Sequence, residues 1–264
     1  MDEFDQANTR IFAISYDPVA DLRHFADQHG ISYSLLSDEG SQVITRLGLL
    51  NLHVAEQQAA AGRSVEPRHT GIPYPGLFLL DESGTIIDKR FEQSYQARPA
   101  PDLMLEEIIG VEAVARAVSA TARDARAQAV AWLGAPTYRP MQRLHLHVLL
   151  DAGPDLHVYG TPAPAGMTGL TVDVDPIEGV TAEPAKLPEP HRFEGPGFAE
   201  HMLVYEGAIG MTVPIQIATN RGDLRLGIDL HYQACSDSEC FPPEALRLEL
   251  DLRGLDNLRP EPSS

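Results

Sequence analysis

The sequence predicts two domains in tandem, an α/β domain followed by one built of β-strands, and three observations carry that reading. A chain of 264 residues is long enough for two cores of ordinary size. Its first part reads strand, helix, strand, helix, hairpin, helix, the alternation of an α/β layer. Its last part alternates strictly: Leu224, Leu226, Ile228, Leu230 and Tyr232 share one strand face, and Leu246, Leu248, Leu250 and Leu252 share another.

Taken in order, Arg10 to Ser15 reads as a buried strand, and Asp17-Pro18 opens a helix through Val19 to Ala26 that Gly30 stops. Ile31 to Leu36 is a second strand, and Ser41 to Leu47 a short helix with Val43, Ile44 and Leu47 on its apolar side. Residues 55–70 are polar and rich in Ala, Gln and Gly, and are expected to form an exposed insertion. Pro75 to Phe91 is a hairpin turning at Asp81-Glu82-Ser83-Gly84, and Leu103 to Val118 a closing helix. Thr121 to Leu133, rich in Ala and Arg, is expected to be an amphipathic helix with Trp132 packed on a core, ended by Gly134-Ala135-Pro136. The expected organisation is therefore a first domain over 1–118, a helical linker over 119–140, a second domain over 141–254 and a disordered tail over 255–264.

Bulk properties exclude several classes of function. A formal charge of -18 argues against nucleic acid or an anionic membrane as partner. No apolar run approaches the roughly 18 residues that span a bilayer. Met1-Asp2-Glu3-Phe4-Asp5 is acidic where a secretory signal carries positive charge, so the chain is expected to be soluble: periplasmic if a signal lies upstream, cytoplasmic otherwise. A phosphate loop, a serine nucleophile elbow and a HExxH run are all missing from the sequence, so no cofactor is expected. His145 and His147 share a strand face, and His24 and His29 lie close in sequence. No carboxylate or cysteine accompanies His145 and His147 at ligand spacing, so packing or surface roles are expected and no metal.

Redox chemistry has one place to occur. Cys235 and Cys240 are the only two cysteines, and they lie where the Leu224–Tyr232 strand gives way to a loop. Four residues separate them, which on a helix would point the thiols apart, whereas a loop returning on itself can bring them together. Pro242 and Pro243 keep the second cysteine from continuing a ladder. Three readings compete. A structural staple over so short a loop stabilises by roughly 2 kcal/mol, less any strain. A metal site would need His231 and a fourth ligand from elsewhere. A reversible dithiol fits short, loop-borne disulfides, which are the labile kind. Asp237, Glu239 and Glu244 disfavour a thiolate here, so the pair is better suited to being attacked by a partner thiol than to attacking.

Tyr232-Gln233-Ala234-Cys235 and Cys240-Phe241-Pro242-Pro243-Glu244 resemble the cysteine loop of the N-terminal domain of the thiol:disulfide interchange protein DsbD. Leu156-His157-Val158-Tyr159-Gly160 with Pro162, Pro188 to Phe193, and Val204-Tyr205-Glu206-Gly207 before Val213-Pro214-Ile215 follow in the order that family shows. The resemblance covers about residues 141–253. It implies an immunoglobulin-like β-sandwich in which Cys235 and Cys240 cycle between dithiol and disulfide with a thioredoxin-like partner, with Tyr232, Asp237 and Glu239 in support. Phe198, in Gly195-Pro196-Gly197-Phe198, is the nearest candidate for the aromatic cap that this family places over its cysteines.

The first domain has its own resemblance. Phe12 to Pro18, Leu35 to Gly40 and Tyr74 to Asp81 resemble the thioredoxin-like redoxins of the AhpC/TSA family, related to peroxiredoxins, over about residues 10–110. This implies that Pro75 is a cis-proline preceding the hairpin. The family's reactive cysteine precedes the Phe12 strand, and no cysteine lies there, so the domain is expected to be truncated at its N-terminus and silent as a peroxidase. The leading expectation is thus a thiol-disulfide oxidoreductase working through Cys235 and Cys240. The alternative is a non-enzymatic scaffold whose disulfide only holds a loop.

Overall fold

Alternating side chains in the second half of the chain and a single βαβ crossing near its start set the architecture. The structure, a computed structural model, describes residues 4–5, 7–60, 62–91, 98–99, 117–193, 202–236 and 238–258. These fall into two compact units dividing at Arg98, the second ending at Asp256.

In the first unit, β1 (Phe12–Ser15) pairs in parallel with β2 (Ser34–Ser37), with Ile14 opposite Leu36, and α1 (Val19–His29) makes the crossing. Pro18 precedes the helix with φ -60°, and Gly30 ends it at φ 61°, a left-handed position that glycine adopts without strain. Helix α2 (Gln42–Arg46) is anchored by Asp38, whose carboxylate accepts from Val43 N at 3.0 Å and Ile44 N at 2.8 Å, and it buries Ile44. The hairpin is as expected: β3 (Gly76–Leu80) lies antiparallel to β4 (Ile86–Phe91), and Asp81 Oδ1 accepts from Ser83 N and Thr85 N in the turn.

Two expectations for this unit are corrected. Residues 55–70 contain α3 (Val54–Ala60) and a 3-10 turn at Pro67–His69; the helix buries no residue, which is why its pattern read as an exposed loop. The Tyr74–Pro75 bond is trans; among the described residues the cis bond is Thr161–Pro162. Tyr74 N donates to Leu49 O at 2.7 Å and Asn51 N to Ile72 O at 2.9 Å, so the chain reaches Pro75 as an extended bridge and continues straight into β3. The helix expected over Leu103 to Val118 lies outside the described residues except for 117–118, and Val118 begins a strand.

The second unit is entirely β among its described residues. One sheet of six strands contains β5 (Arg98–Pro99), at the division between the units, with β6 (Val118–Arg123), β7 (Ala127–Leu133), β9 (Gln142–Ala152), β12 (Val180–Ala182) and β15 (Ala208–Ile217); the order is β12-β15-β9-β7-β6, and β5 pairs with β9 off this path. A second contains β8 (Thr137–Tyr138), β11 (Thr171–Val174), β16 (Leu224–Tyr232) and β18 (Glu244–Gly254), ordered β11-β16-β18-β8. The core lies between them: Leu144, Leu146, Val148 and Leu150 of β9 belong to the same buried cluster as Leu226, Ile228 and Leu230 of β16. A third sheet, β13-β14-β10-β17, is made of β10 (His157–Tyr159), β13 (His191–Phe193), β14 (Met202–Glu206) and β17 (Ala234–Cys235).

The expected linker helix is replaced by the β6–β7 hairpin. Helical propensity of an Ala-rich run is overridden by alternation: Ala127, Ala129, Ala131 and Leu133 are buried, while Gln128 is exposed. Small side chains face inward where β18 packs on β6 and β7. Asp124 Oδ1 sets the turn by accepting from Arg126 N at 2.8 Å and Ala127 N at 2.9 Å. Trp132, expected to pack, stacks on His147 with ring centroids 5.1 Å apart. The expected tail begins later than residue 255, because Leu255 N donates to Tyr138 O at 2.9 Å and Asn220 Nδ2 to Asp256 Oδ1 at 2.8 Å. Residues 259–264 lie outside the described residues.

Ala129→Leu is expected to overpack the core and lower the unfolding free energy by about 1–3 kcal/mol, whereas Gln128→Leu leaves it nearly unchanged. Denaturant unfolding of both variants distinguishes the buried strand from an exposed linker, on which both changes would be tolerated.

Candidate functional site

The site forms where the chain changes sheets. Strand β16 ends with Tyr232 in the main core, Gln233 turns the backbone, and Ala234 and Cys235 pair with Val158 and His157 of β10. Cys235 and Cys240 then face each other in an antiparallel bridge. Phe241 N donates to Ala234 O at 3.0 Å and Ser236 N to Glu239 O at 2.8 Å, which closes the loop. Gln233, itself buried, fixes it from below: Nε2 donates to Phe241 O at 2.8 Å and Oε1 accepts from Thr168 N at 2.8 Å.

Both cysteines are thiols, and they are unequal. Cys235 is 0% exposed in a small apolar cluster with Tyr159, Met202 and Val204, whereas Cys240 is exposed at the surface. The Tyr159 hydroxyl lies 3.2 Å from Cys240 Sγ and also bonds the Cys235 thiol. Burial, and then the hydrogen bond with Cys240, push the Cys235 thiol up to about 12; the Tyr159 hydroxyl pulls the other way but loses. Tyr159 is raised as well, first by its burial and then by the two sulfurs it touches. At neutral pH the pair is therefore a neutral thiol beneath an accessible one.

The residues singled out from sequence separate in space. Cys235 and Cys240 come together as expected. Glu239 is exposed and contributes backbone: its N–H donates to Ser236 Oγ at 3.1 Å. Tyr232 points into the main core, where its hydroxyl donates to Asp124 Oδ2 at 2.7 Å, so it supports the strand and not the thiols. Pro75 belongs to the first unit. Asp237 and Phe198 lie outside the described residues. Sequence reasoning assigned no role to Tyr159 or Gln233, although both stood inside the motifs it used. It also missed a cation: Arg126, more than a hundred residues upstream, sits 4.3 Å from the Phe241 ring centroid and 2.7 Å from Glu244 Oε1. The local acidity inferred from Glu244 is thus partly neutralised.

Paired thiols of unequal exposure on a tight loop, set in a β-sheet domain, are an arrangement able to form and open a disulfide. Sequence comparison gives the families. Residues 1–89 match the AhpC/TSA family and residues 129–252 match the family described as thiol:disulfide interchange protein DsbD, N-terminal, so the chain carries a redoxin domain followed by a DsbD N-terminal domain. The second match takes in β7, in agreement with that strand's place in the sheet. Among solved structures, the chain is similar to the N-terminal periplasmic domain of ScsB from Proteus mirabilis, at 16% identity over 49% of this chain and 47% of that one, with a TM-score of 0.37. The chain thus spans about half the length of that relative. The reduced DsbD N-terminal domain of Neisseria meningitidis is similar at 14% identity, over 52% and 84% of the two chains, with a TM-score of 0.30. The same bacterium's DsbD N-terminal domain in complex with the PilB N-terminal domain matches at 12% identity over 40% and 73%, with a TM-score of 0.30. No curated protein matches in sequence. Among the described residues no helix is long and apolar enough to cross a membrane, and no group of His, Cys, Asp or Glu could hold a metal ion.

Alkylation at neutral pH is expected to label Cys240 and spare Cys235, as read by peptide mass spectrometry; equal labelling contradicts the buried, raised thiol. Tyr232→Phe is expected to lower stability by about 1–2 kcal/mol at pH 7. Burial alone would raise Asp124, but the bonds from Tyr232, Arg126 N and Ala127 N prevail and hold it below the usual carboxylate value. A depressed carboxylate stabilises the fold above its unfolded pKa of about 3.9, and that contribution is lost as pH falls through the folded value. The gap between wild type and variant should be full above about pH 5 and close in stronger acid.

Proposed function

We propose that the second unit exchanges electrons with a partner thiol protein through Cys235 and Cys240, on a sandwich of the immunoglobulin-like kind. One observation carries the reading: the two thiols face each other across a closed loop with Cys240 exposed and Cys235 buried. In the disulfide form, a partner thiolate attacks Cys240 Sγ, the intramolecular S–S bond breaks, and its electron pair goes to Cys235 Sγ. A second thiol of the partner then attacks the partner's own sulfur in the mixed disulfide, leaving the partner oxidised and Cys235 and Cys240 as a dithiol. In the outward direction the Cys240 thiolate attacks a partner disulfide and Cys235 resolves the mixed disulfide, which re-forms the Cys235–Cys240 bond and releases the partner reduced. Burial keeps Cys235 from competing for outside sulfur, so the accessible residue meets the partner and the buried one resolves. An oxidising compartment such as the periplasm suits such a pair. Residues 1–89 contain no cysteine, so this stretch supplies no thiolate and peroxide turnover is not expected from it.

Cys235→Ser should accumulate a mixed disulfide with glutathione or a thioredoxin-like protein, seen by non-reducing electrophoresis and mass spectrometry. Cys240→Ser should form almost none. Exchange by the Cys240→Ser variant at the wild-type rate would rule out this assignment.

A further inference from the structure

Opening a Cys235–Cys240 disulfide leaves an electron pair on a sulfur that solvent does not reach. Cys235 is fully buried and strongly favours its thiol form, so a proton must arrive as the bond breaks and leave as it forms. Tyr159 touches both sulfurs, yet its own acidity is suppressed by burial, and it holds its proton.

The other neighbour is His157. Across β10 and β17 it stands opposite Cys235, and across β10 and β14 it stands opposite Glu206. Carboxylate, imidazole and thiol therefore form a row over three adjacent strands, directly opposed residues having Cβ atoms about 4.5–5.5 Å apart. His157 is 4% exposed, and its ring packs on Phe193 with centroids 4.4 Å apart. His157 also lines an open cleft of about 800 Å³ at one end of the second unit, together with Glu206 and Arg126. It is thus next to the enclosed sulfur on one side and to an open cavity on the other.

We propose that His157 carries the proton between the Cys235 sulfur and this cleft, with Glu206 favouring the imidazolium. The inference rests on the exchange reading above. When the partner thiolate displaces Cys235, the imidazolium gives its proton to the Cys235 thiolate and becomes neutral. When Cys235 attacks the mixed disulfide, the neutral imidazole takes the thiol proton, and the partner leaves as thiolate. Several charged groups bear on this ring. Glu206 on β14 also pairs with His191 of β13 at 3.4 Å, and Cys235 and Tyr159 adjoin it on β17 and β10. On the cleft walls stand Arg123, Asp124 and Arg126 from the β6–β7 turn, with Asp151 and Asp155 between β9 and β10.

The test follows reduction of the oxidised full chain by dithiothreitol between about pH 5 and 9, each rate divided by the reductant's thiolate fraction. The wild-type rate should fall with rising pH through a single inflection. His157→Phe, which keeps an aromatic ring against Phe193, should lower the acid plateau by about tenfold or more and abolish the inflection, with little change in melting temperature. Glu206→Gln should move the inflection to lower pH. A His157→Phe profile superimposable on wild type overturns the inference and leaves the exchange reading standing. If that variant does not fold, an unmoved inflection in Glu206→Gln overturns it instead. Failure of the wild type to exchange at any pH overturns both.

Discussion

A strand that must serve two sheets is the constraint on which the site depends. The apolar face of β16 keeps Leu226, Ile228, Leu230 and Tyr232 in the main core, and β17 starts two residues after Tyr232. Ala234 and Cys235 pair with β10, in a different sheet from β16. Gln233 absorbs the change of direction, and its buried amide is satisfied by the loop on one side and by Thr168 on the other. Because the switch occurs there, Cys235 falls into the apolar cluster around Tyr159 while Cys240, on the return arm of the loop, stays at the surface.

This inequality of the sulfurs governs the chemistry more than charge does. Burial holds Cys235 protonated, and Tyr159, itself enclosed, bonds both thiols without ionising. Acidic neighbours in sequence suggested a loop hostile to thiolates. Arg126 tempers this by approaching Phe241 and Glu244 from the β6–β7 turn. The cation reaches the loop through tertiary structure and could not have been located from local sequence.

Much of the architecture was legible because it follows from periodicity. The alternation of Leu224–Tyr232 and Leu246–Leu252 is that of β16 and β18, and the Pro18 and Gly30 signals bracket α1 as expected. The meeting of the two cysteines was legible from spacing and turn chemistry. What escaped were features in which context outweighs local preference. Ala127–Ala131 favours a helix in isolation, but its small side chains suit a strand packed closely under β18. Tyr159 and Gln233 act through side chains that reach the loop across sheets, and no periodicity encodes such a reach. Tyr232, conspicuous by its place in the cysteine motif, proved to face away toward Asp124.

The β6–β7 hairpin also decides where this chain can be divided. A boundary drawn at residue 140 would discard three strands of the larger sheet, β5, β6 and β7, leave β9 with an open edge and uncover the inward side chains of β18. It would also remove Asp124 from Tyr232 and Arg126 from Phe241, detaching the cysteine loop from that cation. An excised second domain that keeps its sulfur chemistry intact has to begin no later than Val118.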